Sequence, residues 1–216
     1  MKVFVISDSH FPFHNKRAFA EVMRLIRKER PNAVVHIGDL LDQYVFSRFD
    51  KSSSITPEMD VQRGLDLAER MWSTIHKALP RTGLYQVLGN HDARLSKRLQ
   101  DKVPELLELY NPLDMYKFPN VKVLDSYRDH MVLDGVVYTH GYLSKSIDHA
   151  KHFGKPVVHG HLHRPGISTF GKLWTMDVGH IANENSLPLS YTQSKVTNWR
   201  MACGIVEDGH PRLILL

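Results

Sequence analysis

The chain of 216 residues holds a single cysteine, Cys203, which excludes both a disulfide framework and a thiolate zinc cluster. No apolar run approaches the roughly 18 residues of a membrane span, and the N-terminus has no signal-peptide pattern. The expectation is a soluble, cytoplasmic protein without a membrane partner. Internal repeats, low-complexity tracts and linker-like stretches are also missing, so one domain over residues 1–216 is predicted. Neither sign of charge dominates: 28 Lys+Arg against 23 Asp+Glu leave +5, compatible with a phosphate-bearing partner without establishing one. What the chain does have in quantity is histidine, 14 in all, the commonest metal ligand and a ready proton shuttle.

Lys2–Ile6 and Ala33–Ile37 are short β-branched runs that read as buried strands. Between them Asn15 can cap a helix over about 16–29, with Phe19, Val22, Met23 and Ile26 as its apolar stripe. This order predicts a βαβ unit with parallel pairing. Thr56 followed by Pro57 opens a long helix whose stripe runs Val61, Leu65, Ala68, Trp72, Ile75, Leu79. Gly83–Leu88 is a third strand, and 93–118 is a helical insertion broken at Pro104, with leucines at a spacing that predicts a core-facing side. Beyond about residue 120, hairpins around Asp134-Gly135, Gly171-Lys172 and Asp208-Gly209 predict a mostly antiparallel second half. Residues 181–199 are polar and aperiodic, a long loop. Two sheets packed face to face with helices outside would bury both patterns.

The chemistry gathers where these strands end. Asp8 and His10, then Asp39, then Asn90-His91-Asp92, then His140, and finally His161 and His163 each follow an apolar run. Residues at the carboxyl ends of neighbouring strands converge in a crevice. Any one such element occurs by chance, whereas five in succession do not. Carboxylate, imidazole and amide oxygen without thiolate suit Mn, Fe, Co, Ni or Zn. Seven such donors exceed what one tetrahedral ion can use, so a pair of ions sharing a carboxylate is implied. Such a pair holds an acidified water and clamps a phosphate for in-line attack. A further group must protonate the leaving oxygen; His91, beside Asn90 and with Asp92 as its carboxylate neighbour, is the candidate.

D-x-H, G-D, G-N-H-D, T-H-G and G-H-x-H, as they stand at Asp8/His10, Asp39, Asn90–Asp92, His140 and His161/His163, resemble the calcineurin-like metallophosphoesterase superfamily over residues 3 to about 180. The resemblance implies an α/β/β/α sandwich of two mixed sheets flanked by helices. It further implies one ion on Asp8, His10 and His163, a second on Asn90, His140 and His161, and Asp39 between them. His91 with Asp92 would be the general acid or transition-state stabiliser. Two divalent ions are expected, manganese first, with Fe, Ni, Co and Zn as alternatives. The expected activity is hydrolysis of a phosphate ester, with a nucleotide or nucleic-acid phosphodiester ahead of a phosphomonoester. A nucleotide pyrophosphohydrolase and a non-catalytic scaffold rank below both.

Around this set, Asp42 is placed to hydrogen-bond a ligand histidine from outside. Tyr44, Arg48, Arg94 and Arg98 follow the ligand loops and are candidates for substrate phosphate, Arg94 first. His180, where relatives often carry a small polar residue, is a candidate pocket-lining group. His36 is expected in the core, and the basic run from Lys16 to Arg30 on a solvated helix face.

Overall fold

The computed structural model describes residues 1–49, 51–192 and 197–216; residues 193–196 of the predicted long loop lie outside the described residues. The first half folds as its periodicities require. Strand β1 (Lys2–Ile6), helix α1 (Lys16–Glu29) and strand β2 (Ala33–Ile37) form the βαβ unit, with Val3 opposite Ala33 in parallel register. The Asn15 side chain accepts from the N–H groups of Arg17 and Ala18, so the predicted cap is in place. Strands β3 (Gly83–Val87) and β4 (Val121–Val123) extend the parallel set.

The second half forms the three predicted hairpins and adds two parallel pairings between them. Strands β5 (His130–Leu133), β6 (Val136–Thr139), β7 (Val157–His159), β8 (Gly166–Phe170) and β9 (Leu173–Asp177) form a five-stranded sheet ordered β5-β6-β7-β9-β8. Its three central strands are parallel, because helix α5 (Ser146–Phe153) carries the chain from β6 across to β7. The edge pairs β5–β6 and β8–β9 are two of the three predicted hairpins. The last hairpin, β10 (Ala202–Glu207) and β11 (His210–Leu215), returns to the first sheet and completes the order β11-β10-β1-β2-β3-β4.

The alternation of side chains along the central strands divides the interior in two. Phe4, Ile6 and Val34 meet Val22 and Ile26 of α1 and Trp72 of helix α2 (Arg63–Ala78). Val3, Val5, Val35 and Ile37 face the other way, onto Tyr138, Val158 and Met176 of the second sheet. The layers are therefore helix, sheet, sheet and helix, with α5 covering Val137 and Val157 on the far side. None of the described helices is long and apolar enough to cross a membrane.

Two local features differ from their sequence reading. The 93–118 insertion is helix α3 (Arg94–Lys102), stopped before Pro104, then α4 (Leu106–Leu109) and a 3-10 turn over Pro112–Tyr116. The apolar spacing of α3 and α4 does not reach the core, since neither buries a residue and Val103 and Leu106 are exposed; Tyr116 and Phe118 at the insertion's end do. The helix opened by Thr56 begins as a π-helical turn, Glu58–Gln62, before α2 proper. The extra residue in that turn swings Asp60 inward, where Oδ2 accepts the Val45 N–H at 2.8 Å and Oδ1 has no partner among the described residues.

Burial pushes the Asp60 carboxyl up to about 7. Between the unfolded value near 4 and this folded value, folding takes up a proton, so stability falls as pH rises through that window. Asp60→Asn keeps an oxygen for Val45 and removes the charge. The variant is expected to be more stable than the parent at pH 8, on the order of 1–3 kcal/mol, and to lose most of that advantage near pH 5. Urea denaturation at the two pH values measures the difference.

Candidate functional site

Five strand ends from the two sheets converge. Asp8 and His10 follow β1, Asp39 follows β2, Asn90 and His91 follow β3, His140 follows β6, and His161 and His163 follow β7. Backbone bonds lace the loops together: the Asp8 N–H donates to the Gly38 carbonyl, and the His10 N–H to that of Asp39. Asp8, His10, Asp39, His161 and His163 all have φ between 48° and 68°. Non-glycine residues rarely adopt this left-handed region, and such strain concentrates at functional sites. Close approach is made possible at Gly89 and Gly160, where an added Cβ would strike the Asp39 carboxylate and the Ser7–Asp8 side chains respectively.

Asp39 stands at the middle. Its Oδ1 accepts the His91 N–H at 2.8 Å. Its Oδ2 faces three imidazole nitrogens: His140 Nε2 at 3.4 Å, His10 Nε2 at 3.9 Å and His91 Nε2 at 3.9 Å. On one side His163 Nε2 lies 2.8 Å from Asp8 Oδ1, and His10 Nε2 lies 3.9 Å from the same oxygen. On the other, His140 Nε2 lies 3.1 Å from Asn90 Oδ1, and the His161 ring sits edge-on to His140. Donor atoms of Asp8, His10 and His163, and of Asp39, His140 and His161, are close enough within each trio to hold an ion.

The hydrogen-bond partners behind the imidazoles fit a donor set for cations. His140 Nδ1 donates to the Ile37 carbonyl at 3.0 Å, so its Nε2 is turned toward two acceptor oxygens, where only a proton or a metal ion can sit between them. His10 Nδ1 donates to Asp42 Oδ2 at 2.8 Å, which leaves a buried Nε2 with no hydrogen-bond partner among the described residues. Acceptors converging on one point are satisfied only by positive charge, and a carboxylate behind the imidazole is the arrangement that orients a ligand histidine. The electrostatics agree. Burial works against the charged forms, yet Asp42 and Asp8 hold His10 up at about 10, and Asp39 holds His140 at about 9. Burial would also raise Asp8 and Asp39, but the surrounding imidazoles, His163 and His140 first, keep both carboxyls well below their usual range.

Beside the donors, His91 faces a different partner from the one its sequence neighbour suggests. The Asp92 carboxylate accepts from the N–H groups of Leu41, Leu40 and Gly89, and burial together with the charge of Asp39 pushes it up to about 6. It ties the β2 and β3 loops together and is spent on backbone. The carboxylate near His91 is Asp42, with Oδ2 3.5 Å from His91 Nδ1. Asp42 is gripped in turn by Arg94 Nη1 at 2.9 Å, while Arg94 Nη2 lies 3.1 Å from His91 Nε2. Burial, outweighing the pull of Asp39, lowers the His91 imidazole.

A cavity of about 830 Å³ opens beside Asn90 and His91 and is lined by Tyr44, Arg48, Arg94 and Arg98, the residues singled out for substrate. His180 does not belong to this wall: it is fully buried and lies behind His163, ring centroids 4.8 Å apart. His36 is fully buried beneath the site, with Nε2 2.7 Å from Ser9 Oγ. The sequence reading missed the aromatic residues Phe46 and Phe49 and the cation Lys97, which also line the cavity. Lys97 carried a signal, since it stands three residues after Arg94 on the same helix; Phe46 and Phe49 carried none.

Residues 1–198 match the family model described as the calcineurin-like phosphoesterase superfamily domain. The gene 54 proteins of Mycobacterium phages D29 and L5 are 30% and 29% identical to the chain, over 97% and 96% of its length and 90% and 89% of theirs. Among solved structures, a protein described as a novel archaeal phosphodiesterase superposes with a TM-score of 0.52 at 17% identity, covering both chains completely. Vps29 of Chaetomium thermophilum gives a TM-score of 0.52 at 10% identity, covering 96% of this chain and 84% of that one. These structural likenesses establish the shared fold.

Proposed function

Since the chain belongs to the calcineurin-like phosphoesterase superfamily, a metal-dependent family, we propose that it is a binuclear phosphodiesterase acting on nucleotide or nucleic-acid diesters. The observation that carries this reading is the position of Asp39 Oδ2 between two donor clusters. Asp8, His10 and His163 would hold one ion, Asn90, His140 and His161 the other, and Asp39 both, with manganese as the first candidate and Fe, Ni, Co and Zn as alternatives. Such ions supply Lewis acidity and make a water acidic enough to attack phosphorus near neutral pH.

The chain's own residues do the rest. Asp42 and the Ile37 carbonyl fix the rings of His10 and His140 so that each Nε2 points inward. His91 Nε2 accepts from Arg94 Nη2 at 3.1 Å; once Arg94 turns to the substrate phosphate and supplies positive charge where negative charge develops, a protonated His91 gives its proton to the departing ester oxygen. The preference for diesters is supported by the cavity, which continues past His91 and has room for a second ester arm. Hydrolysis of bis-p-nitrophenyl phosphate and of p-nitrophenyl phosphate in Mn, with Asp39→Asn as the blank, tests it. Faster turnover of the diester is expected; a monoester preference would replace this reading with that of a nucleotide or phosphoprotein phosphatase.

A further inference from the structure

The cavity beside His91 has two walls of different chemistry. One is a face of α3: Arg94, Lys97, Arg98 and Asp101 recur at the i, i+3, i+4, i+7 spacing of a single helical stripe, three cations and one acid. Lys97 and Arg98 are exposed, and Lys97 Nζ sits 4.1 Å from the centroid of the Tyr127 ring, which holds the ammonium in place. The other is the segment that begins at the 3-10 turn Tyr44–Phe46, which presents Phe46, Arg48 and Phe49. Phe49 is 68% exposed, a large apolar ring held in water at the mouth of a polar cleft. The Arg48 guanidinium carbon lies 5.1 Å from its centroid, and Arg48 has no carboxylate partner among the described residues. The floor is Asn90 and His91.

We propose that this cleft binds a single-stranded nucleic acid, the strand running out of the metal centre along α3. Lys97 and Arg98 take the phosphates that flank the scissile one, and a base stacks on Phe49, with Arg48 against the ring. A row of cations facing exposed aromatic rings is the combination that tracks a sugar–phosphate backbone while offering each base a π-face. An acidic peptide would use the cations and leave Phe49 in water. A duplex hides its base faces within the stack and could not reach the ring. Single-stranded nucleic acid is thereby the substrate class of the phosphodiesterase reading, on which this assignment rests.

The test is fluorescence anisotropy of the metal-loaded protein with a fluorescein-labelled phosphorothioate oligo-dT of about twelve residues, which keeps its charge and resists hydrolysis, against a duplex of equal length. The single strand is expected to bind more tightly than the duplex. Phe49→Ala is expected to weaken it by about 5- to 100-fold, as removal of one base–aromatic stack does. Lys97→Gln with Arg98→Gln is expected to flatten the slope of log affinity against log salt by about 1.4, roughly 0.7 for each phosphate no longer neutralised. Both sites are exposed, so the variants fold. Unchanged affinity and slope in these variants, or tighter binding of the duplex, would overturn the proposal. Bis-p-nitrophenyl phosphate turnover by the parent protein keeps the two readings apart. Turnover with variant-insensitive binding removes the cleft and keeps the phosphodiesterase; Phe49-dependent binding without turnover of either ester removes the phosphodiesterase.

Discussion

Asp39→Asn is expected to cost the protein at least one tightly held divalent ion and, with it, most of its turnover. The substitution is close to a pure removal of charge. Asparagine tolerates the left-handed backbone at this position, φ 50°. Its amide oxygen can still accept the His91 N–H that Oδ1 accepts now, so the β2 and β3 loops stay joined. What changes is Oδ2, which becomes an NH2 group facing the nitrogens of His140, His10 and His91. A donor then points where only acceptors pointed before, and a cation placed there meets a partial positive charge. Loss of a partner merely behind a ligand costs about 10- to 100-fold in metal affinity; loss of a shared carboxylate is expected to exceed about 100-fold. Metal content after dialysis, by mass spectrometry, and manganese titration by calorimetry measure it. Two ions retained at the parent's affinity would show that Asp39 is not shared between them.

The donor set was legible from sequence because each donor follows a short strand, and strand ends are the most local feature of an α/β chain. Apolar runs of five residues such as Lys2–Ile6 and Ala33–Ile37 announce themselves, and the polar residues just past them share one edge of the sheet. What was not legible depends on which backbone groups need an acceptor once the loops have met. Asp92 follows His91 in the chain, but the orphaned N–H groups of Leu40, Leu41 and Gly89 claim its carboxylate. The role expected of Asp92 passes to Asp42, on another loop and far away in sequence. The parallel centre of the second sheet was hidden for a similar reason. The Asp134-Gly135 turn signals only the edge pair β5–β6, whereas the β6–β7 pairing is set by α5 packing on Val137 and Val157. Helical spacing in 93–118 showed a helix but not what it faces. That helix turns its charged stripe to the cavity and leaves Val103 and Leu106 in solvent. His180 looked like a cavity residue because it follows Gly179, but its ring is directed inward against His163.

His91→Ala carries the other large effect. Two of the three possible ion-holding trios omit it, and its side chain is 14% exposed and lines the cavity, where His10 and His140 are sealed. Its Nε2 accepts from Arg94 Nη2, so a substrate oxygen reaches it by displacing that guanidinium. Removing a general acid lowers turnover by about 10²- to 10⁴-fold, and the loss should fall on kcat, with both ions kept. The competing outcome is built into the geometry, because His91, His10 and Asp39 also present donor atoms close enough for one ion. An alanine variant that loses metal in parallel with activity would make His91 a ligand and leave the leaving group without its proton donor. Asp42→Asn separates the two further. Asp42 touches His10 and His91 and grips Arg94, so its loss should lower both metal affinity and kcat. Asp92→Asn, by contrast, should act through stability, since its carboxylate accepts from the backbone N–H groups of Leu40, Leu41 and Gly89 and has no contact with His91 among the described residues. Unchanged thermal stability with a fall in kcat for Asp92→Asn would return the proton-relay role to Asp92. Metal content, kcat and melting temperature on the three proteins distinguish ligand, acid and brace.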